Sequence, residues 1–397
     1  MEVALVDWIN LSLRWLHVLA GIAWIGTSFY FMWLDAGLKP ATPPEHGVKG
    51  ESWQVHGGGF YNMKKYTVAP AHMPETLHWF KWEAYTTWLS GFALLVGLYY
   101  LRADIYLIDA SVMALTQAQA VGIGVASLIL GWLVYDGLCR SPVGQRPLAL
   151  AVAVFALVGL AAWGYAQVFG GRGAYIHTGA LIGTIMVANV AMVIIPKQRK
   201  AVTALLAGET PDPALGAAGK QRSVHNNYLT LPVVFIMISN HYPMTYGHPY
   251  NWAILIGIGV VGALVRHWFN LRNAGEAGGQ WIWPAAVAGM VAIIGGAAAW
   301  QPGAGASADA ATGPVAFDEV TRVIDQRCAT CHAAEPSQPG FTAPPGGLML
   351  DTPERIREAA DRIHAQAVAS QVMPPGNITG LTEEERAVLA RWVAGAE

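Results

Sequence analysis

The sequence predicts an all-α protein in which a bundle of eight membrane-spanning helices is followed by a small water-soluble helical domain. The membrane part is predicted by composition, because 54% of the 397 residues are hydrophobic and 13% are charged, whereas about a quarter of the residues of a soluble domain are charged. The soluble part is marked by acidity, since residues 314–397 contain 12 Asp and Glu against 7 Lys and Arg. The sequence contains no basic patch or nucleic-acid-binding motif, so we expect no nucleic-acid partner.

Eight windows of about 20 apolar residues predict the spans. They lie at about 8–35, 79–101, 116–138, 148–169, 174–196, 226–242, 250–271 and 281–300. The first window is too long for a cleaved signal peptide and no basic residue precedes it, so we expect it to remain in the protein. The predicted domains are a membrane body (1–300), a flexible linker rich in Gly, Ala, Ser and Pro (301–313), and the soluble domain (314–397).

The distribution of Lys and Arg among the loops predicts the orientation of the chain. The loops between the spans contain two basic residues, Arg102 and Arg172, on one side of the membrane. The basic loops are all on the other side and are 36–78, 139–147, 197–225 and 272–280. Basic loops face the cytoplasm, so we expect a bacterial inner-membrane protein with its N-terminus and its soluble domain on the periplasmic side.

Residues 328–332 read Cys-Ala-Thr-Cys-His, the attachment motif of a c-type haem. We expect one covalent haem c, bound through Cys328 and Cys331, with His332 as a ligand of the iron. Haem is attached in this way outside the bacterial cytoplasm, which agrees with the orientation that the loop charges predict. The acidic domain that carries the motif would attract a basic partner such as another cytochrome.

The second ligand of the haem iron is expected downstream of the motif. Met373, which precedes a proline, is the candidate, because a thioether opposite a histidine raises the haem potential and suits an electron acceptor. Met349 is the alternative, and we expect it to pack in the core instead.

Three short helices are predicted in the soluble domain. An amphipathic helix over 317–327 leads into the haem motif. Thr352 is the predicted N-cap of a helix that extends to about residue 366, and Thr382 with Glu385 forms a capping box that opens the last helix. A small helical domain around a covalent haem resembles class I cytochrome c.

Three histidines are predicted at one level toward the outer face of the bundle, namely His17, His177 and His241. Ionisable groups at membrane depth are expensive and usually functional, so two of these side chains could hold a non-covalent haem b between helices. The alternative is that each histidine donates a hydrogen bond to a carbonyl in a packed bundle.

A second group of polar residues is predicted at the cytoplasmic ends of the helices. The candidate acids and bases are His78, Glu75, Glu83, His225 and His267, and the candidate substrate-binding residues are Asn226, Asn227, Arg266 and His72. Glu75 and His78 are three residues apart and would share a helix face. The group could bind a planar, anionic, hydrogen-bonding substrate, with a carboxylate or imidazole as general base. The glycines after His56 add a flexible loop to this group. The alternative is that the charged residues are solvated or interfacial anchors at helix ends.

Three segments of the membrane body carry a resemblance to a known family. They are Trp-Leu-His-Val-Leu-Ala-Gly-Ile-Ala-Trp-Ile-Gly at 15–26, Leu-His-Trp-Phe-Lys-Trp-Glu-Ala-Tyr at 77–85, and Ser-Val-His-Asn-Asn-Tyr at 223–228. With the haem motif, the whole chain resembles the membrane-bound, cytochrome c-linked urate oxidases (urate hydroxylases). The resemblance implies oxidation of urate to 5-hydroxyisourate with water as the hydroxyl source. It also implies that electrons pass through the c haem to a soluble cytochrome or terminal oxidase, without formation of hydrogen peroxide.

Two questions stay open at this level. The chain could instead be a non-catalytic, membrane-anchored electron-transfer subunit, although eight spans with polar residues favour a pocket over an anchor. The side on which urate binds is also undecided. A cytoplasmic site would require an internal haem to carry electrons across a hydrocarbon core of about 30 Å, whereas an outer site would not.

Overall fold

The computed structural model describes residues 2–70, 72–299, 315–339 and 341–395. This part of the chain is mostly helical, which confirms the all-α class in its main feature, and the linker expected at 301–313 lies outside it. The helices of the body are α1 (Glu2–Gly37), α2 (Trp82–Leu95), α3 (Ala103–Tyr106), α4 (Gln117–Arg140), α5 (Pro147–Ala166), α6 (Gly171–Ala188), α7 (Ile195–Leu206), α8 (Pro213–Ser239), α9 (Pro243–Tyr246), α10 (Asn251–Ala274) and α11 (Ile282–Ala298).

Six helical stretches in the described residues are long and apolar enough to cross a membrane. They are α1, α4, α5, α10, α11 with its preceding turn, and the continuous rod from α6 to α7. The other two predicted spans coincide with α2 and α8. The α2 helix has 14 residues before a π-helix at Val96–Tyr100, and α8 contains buried Arg222, Asn226 and Asn227. Because α2 is short and α8 is polar, neither belongs to the six stretches that are long and apolar enough to cross a membrane.

The α6 helix lies at the centre of the body. In the apolar window of the α6–α7 rod 61% of the residues are buried, compared with 6% in α1. A helix that is apolar on all sides is buried by neighbours, whereas an apolar outer face suits lipid. Close packing depends on Gly179 of α6, since a Cβ there would lie 2.6 Å from Cγ2 of Ile236 on α8.

The body also contains an antiparallel hairpin, formed by β1 (Val48–His56) and β2 (Gly59–Tyr66). Gly57 and Gly58 form its turn with φ angles of 58° and 80°, both in the left-handed region that a two-residue hairpin turn requires. The sequence analysis missed these strands and predicted a flexible loop. The available signal was a Gly-Gly pair between segments rich in β-branched and aromatic residues.

The C-terminal residues form a separate core from short helices. These are α12 (Phe317–Arg327), α13 (Ala329–His332), α14 (Pro353–Glu358), α15 (Ala360–Ile363) and α16 (Glu383–Ala394). The predicted capping box is confirmed, since Glu385 N donates to Thr382 Oγ1 at 3.2 Å and Thr382 N donates to Glu385 Oε2 at 2.9 Å. Thr352 caps α14 as expected. The helix predicted to run on to residue 366 is instead interrupted after α14 and ends in a π-helix at His364–Ala369.

The turn after Met373 packs directly against the body. Val372 contacts the core of the body, and Gly376, with φ of 56°, faces the carbonyl oxygen of Ile108. A Cβ at Gly376 would lie 2.5 Å from that oxygen, so this close approach of two backbone segments requires glycine. The contact lies in the loop after α3, at the end of the bundle opposite Gly37.

Candidate functional site

The strongest candidate site is a buried polar cluster between α1, α8 and α10. Arg266 is 5% exposed and Asn227 is fully buried. Arg266 Nε donates a hydrogen bond to Asn227 Oδ1 at 2.8 Å, and Asn270 Nδ2 donates to the same oxygen at 3.1 Å. The guanidinium carbon lies 3.8 Å from the ring centre of Phe29, so the cation rests on an aromatic face.

Two donors of this cluster have no acceptor among the described residues. Asn227 Nδ2 and Arg266 Nη2 are buried and form no hydrogen bond. Because Asn227 Oδ1 already accepts two hydrogen bonds, reversing the amide would lose both, so Nδ2 keeps its direction. A buried polar group without a partner costs about 1–3 kcal/mol. A ligand with neighbouring acceptor atoms would remove that cost, and the positive charge favours an anion.

Tyr228 and His267 form a second pair on the same two helices. The Tyr228 hydroxyl lies 2.7 Å from His267 Nδ1. This contact orients the imidazole and leaves Nε2 as the ring nitrogen for proton transfer, a role that histidine commonly performs. His267 was predicted as an acid or base, and it directly follows Arg266, whose Nη2 has no hydrogen-bond partner within the described part of the chain.

A separate buried network surrounds Asn189, the first residue of a π-helix (Asn189–Ile194) between α6 and α7. Asn189 Nδ2 donates to the Tyr135 hydroxyl and to Asn226 Oδ1, both at 2.9 Å. The Tyr135 hydroxyl also lies 2.7 Å from His225 Nδ1. Such π-helical turns occur frequently at functional sites.

The charges of this network are paired. Arg222 is 3% exposed; its Nη2 donates to Asp136 Oδ1 at 2.7 Å and its Nη1 to Asn189 Oδ1 at 3.2 Å. Arg140 also pairs with Asp136. Since donors and acceptors satisfy one another here, the network fixes α4, α6 and α8 relative to each other and offers less to a ligand than Arg266 does.

Among the described residues, the side chains of the other candidates form no hydrogen bond or ion pair with either cluster. His72, Glu75 and His78 are exposed in an irregular segment between β2 and α2, and Glu83 lies in the first turn of α2. The prediction that Glu75 and His78 share a helix face is wrong. An exposed turn of so few residues gains no packing energy, and short isolated helices are unstable in water.

The three outer histidines are not brought together. His17 Nδ1 lies 2.9 Å from the carbonyl oxygen of Thr87, whereas His177 Nε2 lies 3.2 Å from the hydroxyl of Tyr100. Thr87 and Tyr100 are about 20 Å apart along one rod at about 1.5 Å per residue. His241 is exposed in the turn after α8. The shared level expected for these side chains is therefore not found.

The surroundings of His177 do not fit a haem b. Its Nδ1 lies 2.9 Å from the carbonyl oxygen of Gly173, so both ring nitrogens have partners within the protein. A Cβ at Gly124 would lie 2.7 Å from His177 Nε2, which shows that α4 passes directly against the ring and leaves no gap for a macrocycle. His177 thus follows the alternative of hydrogen bonding within a packed bundle, whereas His17 is held only at Nδ1 and its Nε2 has no hydrogen-bond partner among the described residues.

The haem motif forms α13 directly after α12. His332 Nδ1 lies 2.9 Å from the carbonyl oxygen of Leu348, which fixes the ring and leaves Nε2 for a metal. Cys328 and Cys331 form no disulfide, and burial raises the pKa of the Cys328 thiol to about 12. Among the described residues, no group of three or more His, Cys, Asp and Glu side chains is placed to hold a bare metal ion.

Met373 is held at both of its main-chain polar atoms. Its N–H donates to the carbonyl oxygen of Gln366 at 3.0 Å, and its carbonyl oxygen accepts from Arg386 Nη1 at 3.0 Å. The side chain packs against the C-terminal core together with Cys328. These residues fit a haem held between the motif and Met373. Arg386 is 6% exposed, and burial lowers its pKa.

The sequence analysis missed several residues of the two clusters. Asn189 and Asp136 could have been found, because each is polar within a predicted span. Phe29 and Tyr135 carry no such signal, since aromatic residues are common in apolar helices. Arg222 lies in a segment predicted as a basic loop, where a cation attracts no attention.

Comparison with known proteins gives one match. A family model described as urate oxidase N-terminal matches residues 3–297. No match was found among curated proteins or among solved structures. The matched residues include both buried polar clusters and end before the haem motif. Because the match covers most of the chain, this protein belongs to the urate oxidase N-terminal family.

Proposed function

We propose that this chain is an integral-membrane oxidoreductase that oxidises urate to 5-hydroxyisourate. The oxygen of a water molecule forms a bond to C5 of urate, and two protons and two electrons are released. The family match carries the proposal, because it coincides with the helical body at residues 3–297. The chemistry on urate is accordingly assigned to the body and the removal of electrons to the C-terminal domain.

Arg266 and Asn227 are the proposed binding groups. Urate is a planar anion whose carbonyl oxygens and ring nitrogens are adjacent, so it can accept hydrogen bonds from Arg266 Nη2 and Asn227 Nδ2, the two buried donors without partners. Charge-assisted hydrogen bonds of this kind are stronger than neutral ones. The ring of Phe29 holds the guanidinium from the other side.

His267 is the proposed base. In the tautomer proposed here Nδ1–H donates to the Tyr228 hydroxyl at 2.7 Å, so Nε2 is unprotonated and can take a proton from urate or from the attacking water. His225 is the second candidate, since the Tyr135 hydroxyl lies 2.7 Å from its Nδ1 in the same way. It belongs, however, to the network whose charges are paired, whereas His267 directly follows Arg266 in the chain. We infer that His225 positions α8 and that His267 transfers the proton.

Arg172 offers a comparable arrangement at the other end of the bundle. Its Nε donates to Asn240 Oδ1 at 3.0 Å, and its guanidinium lies 5.4 Å from the ring centre of Tyr106. No buried donor of Arg172 lacks a partner, in contrast to Arg266. This difference favours Arg266, which lies about 12 Å from the Ala274 end of α10 at about 1.5 Å per residue.

Cys328, Cys331, His332 and Met373 are the proposed attachment and ligand residues for a haem c. A haem bound there would accept electrons one at a time and release them to an external acceptor. The chain contributes the geometry, since Leu348 orients His332 and Gln366 with Arg386 holds Met373. The acidic character of residues 314–397 suits a basic soluble cytochrome or a terminal oxidase. Oxygen is then not the direct oxidant, and hydrogen peroxide is not formed.

The proposed location is a bacterial inner membrane, crossed eight times when α2 with its π-helix and α8 are counted with the six apolar stretches. The loop charges favour a periplasmic N-terminus and a periplasmic haem domain. Arg266 then lies toward the cytoplasm and about 22 Å along α10 from its outer end. Electrons then need an internal haem to cross this distance. Since both ring nitrogens of His177 have partners, we propose His17 as its ligand, because the Thr87 carbonyl oxygen holds Nδ1 and Nε2 has no hydrogen-bond partner among the described residues.

The deciding experiment adds urate anaerobically to oxidised, purified protein and follows the absorbance of the c haem. We expect reduction of two haem equivalents per urate, and incorporation of ¹⁸O from labelled water into the product. Arg266→Met should require about 10- to 100-fold more urate for the same reduction, while Arg172→Met, the matched control, should keep the urate dependence of the parent. If dithionite reduces the haem but urate does not, the electron-transfer-subunit hypothesis replaces this one. If urate-dependent reduction is lost in Arg172→Met and retained in Arg266→Met, the urate site lies at the outer end of the bundle instead.

A further inference from the structure

The hairpin of β1 and β2 is not explained by urate oxidation. Its register places Val55 opposite Phe60 and Trp53 opposite Asn62. Directly opposed residues of an antiparallel pair point to the same face, so Trp53, Val55 and Phe60 share one face. Their exposed fractions are 65%, 67% and 78%. A cluster of large apolar side chains with this exposure indicates an interaction surface for a protein or a membrane.

The opposite face of the hairpin is fixed to α1. The Tyr30 hydroxyl donates to Gln54 Oε1 at 2.8 Å, and Lys65 forms an ion pair with Asp35. Gln54 lies between Trp53 and Val55 in the strand, so its side chain points to the other face. The apolar face therefore points away from α1, and within the described ranges only the base of this face, at buried Glu51, is covered by the segment around Thr42.

The same contacts set the direction of the hairpin. Asp35 lies in the last turn of α1, and Tyr30 lies about 7 Å further from the end at about 1.5 Å per residue. Gln54 contacts Tyr30, and the turn at Gly57 and Gly58 extends about 10 Å beyond it at about 3.3 Å per residue. The hairpin thus folds back along α1, which is apolar and long enough to cross a membrane.

The composition around the hairpin suits a lipid surface. Exposed aromatic residues of α1 lie at the level of Gln54, namely Tyr30, Phe31 and Trp33, and aromatic side chains concentrate where a bilayer meets water. Exposed Lys49 lies near the base of the hairpin, where a lysine is attracted by anionic headgroups; the neighbouring Lys64 is paired with Glu45. A polar protein partner would not match an apolar face directed along a membrane helix.

We propose that the face formed by Trp53, Val55 and Phe60 inserts into the headgroup region of the bilayer beside α1. The hairpin then acts as an interfacial anchor for the Gly37 end of α1, independently of what the protein oxidises. A second copy of the chain and a soluble partner are the other occupants that an experiment must separate.

The test uses the full-length protein in nanodiscs that contain anionic lipid, with a nitroxide attached at Val55→Cys or Phe60→Cys. Both side chains are exposed, so neither substitution disturbs packing. The parent protein corrects for label on Cys139, since the thiols of Cys328 and Cys331 are bonded to haem in the proposed holo-protein. A label at Glu209→Cys, in the exposed polar turn after α7, is the matched control on the same side. Collision rates are measured with oxygen, which enters lipid, and with a nickel chelate, which stays in water.

Lipid insertion predicts that the ratio of oxygen to nickel collisions at positions 55 and 60 is several-fold higher than at position 209. Nickel collisions as frequent at 55 and 60 as at 209 would show that the face is in water and would overturn the proposal. Low collision rates for both reagents would show that protein covers the face, which overturns it in favour of a second copy. Urate-dependent reduction does not enter this measurement, so its outcome is separate from that of the proposed function.

Discussion

Replacing Arg266 by methionine removes one of the two donors proposed to bind urate while leaving the fold in place. The substitution is of similar length and apolar, and Asn227 Oδ1 keeps the hydrogen bond from Asn270 Nδ2 at 3.1 Å. It also removes a buried cation with an unsatisfied Nη2. We therefore expect the free energy of unfolding to change by no more than about 1 kcal/mol.

The effect on urate should be much larger than the effect on stability. A hydrogen bond to a charged group contributes about 1.5–3 kcal/mol, and every 1.4 kcal/mol is a factor of ten. The Arg266→Met variant should therefore bind urate about 10- to 100-fold more weakly. The measurement is the urate dependence of haem reduction under anaerobic conditions, with thermal unfolding followed in parallel. Arg266→Lys keeps the charge but loses the planar geometry, so its affinity for urate should lie between those of the parent protein and Arg266→Met.

An unchanged urate dependence in Arg266→Met would refute the assignment of the site. The Arg172→Met variant is the control, because Arg172 also bonds to an asparagine but has no buried donor without a partner. A variant that loses urate and also unfolds at a lower temperature would indicate a structural role, and Arg266→Lys would then show whether charge alone restores binding.

Four further variants test separate parts of the structure. Asn227→Asp places a carboxylate against Arg266, so urate binding should be lost without loss of thermal stability; retained binding would contradict the site. Met373→Ala should change the haem potential and the ligand-sensitive absorbance bands, whereas Met349→Ala should not. Arg386→Met removes the donors to the carbonyl oxygens of Met373 and Ala367 and should also alter the potential, with exposed Arg322→Met as the unaffected control. Tyr135→Phe leaves His225 and Asn189 short of a partner and should lower stability by about 1–3 kcal/mol, with little change in urate dependence.

Local sequence features were sufficient for the long helices and for the caps at Thr352 and Thr382. Apolar windows located the long helices, and the capping box of Thr382 and Glu385 is present as expected. These features depend on residues within one or two turns, so sequence order alone carries the information. The hairpin was missed because its strands are held by contacts with α1 that sequence order does not reveal, such as Tyr30 with Gln54.

The candidate site was predicted in part. Asn227, Arg266 and His267 were named from their polarity near helix ends, but so were His72, Glu75 and His78, which lie exposed in an irregular segment. Polarity does not reveal which side chains face each other across helices. That requires the packing of α8 against α10, which brings Arg266 to 2.8 Å from Asn227.

The sequence by itself was enough to predict the long apolar helices, the acidic C-terminal domain and the haem attachment motif, because each is a property of residues close together in the chain. The tertiary structure decided which buried groups lack a partner. The hydrogen-bond partners of a buried side chain come from segments far away in the sequence. Asn189 and His177 find such partners, whereas Arg266 Nη2 and Asn227 Nδ2 do not find one among the residues that the structure describes. A buried donor without an acceptor is costly in an apolar bundle, and this cost distinguishes a binding site from a polar network that only holds helices together.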